Sequence, residues 1–319
     1  MVTARIKASD RTKACQQVVT VLKKHYGSRL ASCDFDVLDT LLFAICLEDA
    51  SFEQARQALT RFKEGFFDYN EARVSSITEL QHVLGNLSHA DWKALRIRES
   101  LQVVFEGRYS FELEDLKKKS LEAAEKFLQK ISTLTPFAIS HTLLATFGAH
   151  LVPMDNQMLN TCLWLSLLEE GTDLSHASDS FKSAIRKADV PLFYNLIKQL
   201  ANDPAFAPLL KQSNSAKTEN PVDNITHAVD YLKQLLSGQM PASKGKTTKG
   251  SAAPAPAPNK KTAKKSTEKT KNVDKPVAKK TSKKSPTKPE GKKAPPKKTA
   301  KPGKKTAPPV KKKTKSAKK

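Results

Sequence analysis

An all-α fold followed by a disordered basic tail is what this sequence predicts, on three observations. Apolar residues recur three and four positions apart through most of residues 1–237, the period of one helix face. Ser, Thr or Asp stands before these stretches and glycine often stands after them, whereas strand-like alternation is nowhere sustained. Composition then breaks sharply near Ser237. From Gly238 to Lys319 there are 28 lysines, no arginine, three acidic residues and 12 of the 18 prolines. That surplus of 25 positive charges exceeds the +23 of the whole chain, so residues 1–237 carry −2.

Residues 10–26 place Ala14, Val18, Leu22 and Tyr26 on one helix face, with Gly27 as the stop. Asp34 is the expected cap of the next helix, whose Phe35, Leu38, Leu41, Leu42, Ile45 and Cys46 cover most of its circumference and mark it as central. Ser51 with Gln54 and Ser76 with Glu79 form capping boxes. Ser88 is expected to cap a longer helix through Trp92, Leu95, Leu101 and Val104, with Lys93, Arg96 and Arg98 as its basic side. After Gly107 the segment FELEDLKKK is helical or looped, and Ser120 starts another helix. Thr135, with Pro136 behind it, opens a helix that Gly148 stops. Asp155 heads the next, where the helix dipole favours an acid. Stretches over 178–188, 191–201 and 223–236 complete a set of about ten helices.

Residues 1–237 are long enough for one domain with a core of ordinary size. Beyond Met240 there is no Leu, Ile, Phe, Tyr or Trp, so residues 238–319 have too little apolar surface to offset the entropy of ordering. Repeats such as KKTAKK and KKTSKKSPTK resemble the C-terminal tails of linker histones, and Ser285-Pro286-Thr287-Lys288 matches their Ser-Pro-x-basic unit. Lysines such as Lys283, Lys284 and Lys288 are expected to bind double-stranded DNA by displacing counterions, without reading sequence. A solubilising tail, or one that binds anionic membrane, is the alternative. Without arginine or aromatic residues this tail is not expected to read base edges or stack on them.

Cys15, Cys33, Cys46 and Cys162 lie far apart inside apolar patterns, as buried thiols of a reducing compartment do. No C-x-x-C pair occurs, and no zinc site or other cofactor is expected. The N-terminus lacks a signal-peptide core and no apolar run reaches membrane length, so a soluble intracellular protein is expected.

The stretch Ile131 to Leu159, ISTLTPFAISHTLLATFGAHLVPMDNQML, reads as a turn, a helix, a brief link and an acid on a helix start. Together with FDVLDTLLFAICL (Phe35–Leu47) and GNLSHADWKALRI (Gly85–Ile97), it resembles the helix-hairpin-helix DNA glycosylases, the superfamily of endonuclease III and the adenine and 3-methyladenine glycosylases. The resemblance covers residues 35–165. It implies a two-lobed helical body and a base-excision chemistry. Asp155 falls on the family's catalytic aspartate, a carboxylate that stabilises the cationic sugar formed as the bond to a flipped-out base breaks. Read from its residues alone, Asp155 is a helix cap.

Phe137 falls where bifunctional members place a lysine that forms a Schiff base, so lyase chemistry by that route is not expected. His141, one turn later, is either a pocket residue or a hydrogen-bonded core histidine. The glycines of the family's hairpin are replaced by Thr133 and Thr135, whose hydroxyls are the expected phosphate contacts, with a weakened grip because Pro136 has no N–H. Lys93 is expected to reach the DNA backbone. Glu48 and Asp49 place negative charge on the expected DNA path. The iron–sulfur cluster of some members needs four cysteines after the aspartate, where this chain has Cys162 alone.

Two functions follow. One is a monofunctional DNA N-glycosylase acting through Asp155. The other is a non-catalytic, histone-like architectural DNA-binding protein on a degenerate glycosylase scaffold, with a protein-interaction module carried to chromatin by the tail as a further alternative. In the DNA-binding readings the chain is an expected monomer associated with the nucleoid.

Overall fold

A run of eleven residues without an exposed face fixes the centre of the fold. Every residue of α2 (Val37–Leu47) is buried, as its apolar circumference predicts. The computed structural model describes residues 5–30 and 34–238; Cys33 and the lysine-rich tail, with Lys283, Lys284 and Lys288, lie outside the described residues. Among the described residues there are fourteen α-helices, two short 3-10 turns and no strand.

The principal helix packings fall into two sets. In the first, α2 lies against α3 (Phe52–Gly65), α6 (Ala90–Arg108) and α8 (Pro136–Phe147). Two short helices, α4 (Tyr69–Val74) and α5 (Ile77–Leu84), pack on α6, and α7 (Leu121–Leu128) packs on α8. In the second set α1 (Ala8–Tyr26) lies against α10 (Leu174–Ala184), α11 (Val190–Asn202), α13 (Pro221–Thr226) and α14 (Ala228–Leu236). There α9 (Asn156–Trp164) packs on α11, and α12 (Ala207–Leu210) touches both. These are two helical lobes, and one hydrophobic core runs through them.

Local capping signals place most helix starts where the sequence puts them. Both capping boxes form, on Ser51 with Gln54 and on Ser76 with Glu79. Thr135 caps α8 by accepting from Ala138 N at 3.2 Å, Pro136 occupies its first turn, and Gly148 ends it at φ +60°. Two starts are corrected. Asp36, not Asp34, caps α2, accepting from Asp39 N at 2.6 Å. Ser88 does not cap α6: its hydroxyl donates to Asp49 O at 2.9 Å, and the helix begins after His89. The segment 223–236 is two helices, broken at His227, and Gly107 lies inside α6 rather than ending it.

Past the end of α6, Tyr109 has φ +52° and is 83% exposed. A bulky side chain in the left-handed region costs backbone energy that glycine avoids, and this ring has little burial to offset it. Tyr109→Gly is therefore expected to raise stability by about 0.5–1 kcal/mol, seen as a higher urea midpoint at unchanged m-value. A lower midpoint would show that the ring contributes more than its backbone costs.

Candidate functional site

Two helix ends meet between the lobes, and their unpaired backbone groups build the site. The last turn of α2 contains no basic residue of its own to meet its carbonyls. Lysines from other helices do so. Lys93 Nζ, from α6, donates to Cys46 O at 3.0 Å and Glu48 O at 2.6 Å; Lys198 Nζ, from α11, donates to Leu47 O at 2.9 Å. At the start of α9, Asp155 Oδ1 accepts from Met158 N at 2.9 Å, the cap its position predicts. Its Oδ2 accepts from Asp49 N at 3.0 Å and pairs with Lys198 Nζ. A second acid meets the same helix end: Asp49, at φ +50°, accepts from Gln157 N at 3.3 Å and Asn156 Nδ2 at 3.0 Å.

The Asp155 and Lys198 side chains are both 0% exposed. The Lys198 ammonium lies 5.2 Å from the centre of the Phe137 ring, whose face favours a cation. An amine therefore does reach the neighbourhood where the resemblance placed Phe137 in lieu of a lysine, but it arrives from α11. It is fixed there by a carbonyl and a carboxylate. Asp155 accepts three hydrogen bonds from within the protein, and neither oxygen meets solvent. Chemically this is a buried ion pair joining helix termini.

Of the other expected site residues, His141 takes the second of its two expected places, and Lys93 and Thr133 depart from theirs. His141 is a core residue: Nδ1 lies 2.9 Å from Tyr194 Oη and its ring packs between Phe43 and Phe137. Burial, with the Lys198 charge adding to it, pushes its imidazole down to about 3, so it is neutral at physiological pH. Lys93 is corrected from a surface contact to an interior one, since it is 1% exposed. Burial pushes that ammonium down to about 8. The Thr135 hydroxyl caps α8, while Thr133 Oγ1 is buried without a partner. Thr133 Oγ1 is not turned outward as a phosphate contact requires, whereas Thr135 lies on the wall of a groove with Glu48. Glu48 itself pairs with Arg96 Nη1 at 2.7 Å.

Lys198 is the residue that the sequence reading misses. Its signal is phase: it lies one turn after Tyr194 and one turn before Ala201, both buried, so it stands on the inner face of an amphipathic helix. Lys93 carries the same signal, sharing its stripe with Ala90, Ala94 and Ile97. Among the described residues no group of three or more His, Cys, Asp or Glu is placed to hold a metal ion, and no helix is long and apolar enough to cross a membrane.

No family model and no curated protein sequence matches this chain. Among solved structures it is similar to a non-covalent endonuclease III–DNA complex, at 12% identity and TM-score 0.48, over 59% of this chain and 85% of that one. It is similar to a thermostable thymine-DNA glycosylase at 10% identity and TM-score 0.45, over 60% and 84% of the two chains. It is also similar to the H. pylori 3-methyladenine DNA glycosylase MagIII bound to 1,N6-ethenoadenine, at 14% identity and TM-score 0.44, over 64% and 98%.

Removing one partner of the buried pair leaves the other charge stranded. Lys198→Met is expected to destabilise the domain by about 3–5 kcal/mol, and Lys198→Met with Asp155→Asn to recover at least half of that loss. Chemical denaturation of the three proteins checks this; equal losses in the single and double variants would deny the coupling. His141 gives a pH dependence. Its folded value near 3 lies below the ordinary 6.5, so an unfolded chain takes up a proton that the folded one refuses. The stability this supports is fully present above pH 6.5 and is lost as pH falls from there toward 3. His141→Gln is expected to flatten the fall in unfolding free energy between those limits, and an unchanged slope would place the acid sensitivity elsewhere.

Proposed function

We propose that this protein is a non-catalytic, architectural DNA-binding protein, associated with the nucleoid, whose helical domain has the plan of a base-excision glycosylase without its chemistry. The observation that carries this reading is the state of Asp155. A glycosylase carboxylate must be reachable by a sugar that becomes cationic and by a water. This one is 0% exposed and already paired with Lys198. The hairpin supports the same reading, because the Thr133 hydroxyl is buried and the Thr135 hydroxyl is engaged in capping α8.

Affinity for DNA then resides in the tail. Its 28 lysines supply sequence-independent, salt-sensitive attraction to phosphate, while residues 1–237 carry a net charge of −2 and add no long-range pull.

Duplexes containing uracil, alkylated purine, oxidised guanine or mismatched adenine are expected to stay intact with the full chain, and borohydride to trap no covalent complex on an abasic duplex. Base release that Asp155→Asn abolishes would reinstate the monofunctional glycosylase. Deleting residues 241–319 is expected to lower low-salt duplex affinity by about 100-fold or more. A truncated domain that binds as tightly as the whole would overturn the assignment of affinity to the tail.

A further inference from the structure

A cavity of about 250 Å³ lies between α2 and α8, walled by the rings of Phe35, Phe43, Phe52 and His141. Ring centres are 5.3 Å apart from Phe35 to Phe43 and 6.0 Å apart from Phe43 to His141. Asp34, Phe35 and Thr40 stand at or just before the start of α2, and Ala145 and Thr146 come from the last turn of α8. Asp155 meets the chain just past the other end of α2, at Asp49, and is not among the walls. Two polar atoms on these walls have no partner among the described residues. His141, only 7% exposed, uses Nδ1 for Tyr194 Oη at 2.9 Å, and its Nε2 is left without one. Thr146 Oγ1 is buried and equally unmet.

The place of the imidazole hydrogen follows from Tyr194. A buried hydroxyl hydrogen needs an acceptor, and among the described residues this one meets His141 Nδ1. Burial keeps the phenol protonated and the imidazole neutral. Oη–H therefore donates to Nδ1, and the ring's own hydrogen sits on Nε2. The cavity thus offers aromatic walls and one enclosed N–H donor.

We infer that this cavity binds a small, neutral, planar heteroaromatic molecule, whose ring acceptor takes the hydrogen of His141 Nε2 while its faces lie against the phenylalanine rings. An apolar cavity of about 150 Å³ takes a benzene ring, so this one has room for two fused rings. The Thr40 hydroxyl is committed to Asp36 O at 2.6 Å, which leaves Thr146 as the second polar contact. A cationic occupant is disfavoured because the Lys198 ammonium already acts on His141. Asp34 and Lys117 at the exposed rim are opposite in sign, and Lys117 pairs with Glu114 at 2.7 Å, so the entrance selects no ion. The inference does not rest on the DNA-binding reading and stands if that reading fails.

The test is calorimetric titration of the full chain with quinoline, with naphthalene, which has the same shape and no acceptor, and with N-methylquinolinium. Quinoline is expected to bind saturably and at least about tenfold more tightly than naphthalene, since the hydrocarbon leaves the enclosed N–H unmet. N-methylquinolinium is expected not to bind. His141→Phe keeps an aromatic wall and removes the donor, and is expected to bring quinoline down to the naphthalene level. Because that variant also strands the Tyr194 hydroxyl, Ala145→Trp serves as an independent block: Ala145 is exposed at the edge of the cavity, and an indole there is expected to abolish binding of both neutral molecules without disturbing the core. Equal affinity for quinoline and naphthalene, binding of the cation, binding that survives Ala145→Trp, or no saturable binding of quinoline would overturn the inference.

Discussion

The salt bridge between Lys198 and Asp155 is the interaction on which the arrangement of the two lobes depends. It lies where the C-terminus of α2 meets the N-terminus of α9, with α11 delivering the ammonium. Helix ends of opposite dipole need partners of opposite charge, and here each end receives one from outside its own helix. Asp155 serves α9, while Lys198 and Lys93 serve α2. A buried ion pair gains little net energy over an apolar pair, since desolvation cancels most of its attraction. Its effect is on specificity: any sliding of one lobe on the other would strand a charge in the interior.

The same geometry limits what Asp155 can meet. A carboxylate that stabilises a transient cation lowers a barrier only if the cation appears late, in the transition state. Asp155 is already paired with Lys198 in the resting protein. Phe137 closes the other side, placing a ring face against that ammonium. His141 cannot substitute as an acid or base, because its surroundings hold it neutral and bind it to Tyr194. Asp155, Phe137 and His141 are instead drawn, with one lysine from a distant helix, into a contact between lobes.

What was legible in the sequence is what depends on neighbours one turn away. The all-buried α2, both capping boxes, the Thr135–Pro136 start, the Gly148 stop and the Asp155 cap are each set by residues within about four positions. Asp34 and Ser88 show the limit of such signals, since a second capping residue, Asp36, stood two positions away, and the Ser88 hydroxyl found a tertiary partner at Asp49. Lys93 and Lys198 were misjudged or missed for a different reason. Lysine is so rarely buried that its presence on an inner helix face is discounted, and its partners are carbonyls 45 to 151 positions away that no local pattern reveals.

Charge is divided along the chain in a way that follows from this burial. Lys93 and Lys198, the two fully enclosed lysines among the described residues, are committed to backbone carbonyls and to Asp155, so neither ammonium is offered at the surface. Arg96 is answered by Glu48, Arg108 by Asp115 and Lys63 by Asp39. Residues 1–237 carry a net −2 and so exert, in sum, no long-range attraction on a polyanion. The 28 lysines beyond Ser237 have three acidic residues among them and so retain their charge for a partner. In the architectural reading proposed above, affinity and architecture are thereby separated: substitutions inside the domain act on stability, and the salt dependence of DNA binding belongs to the tail.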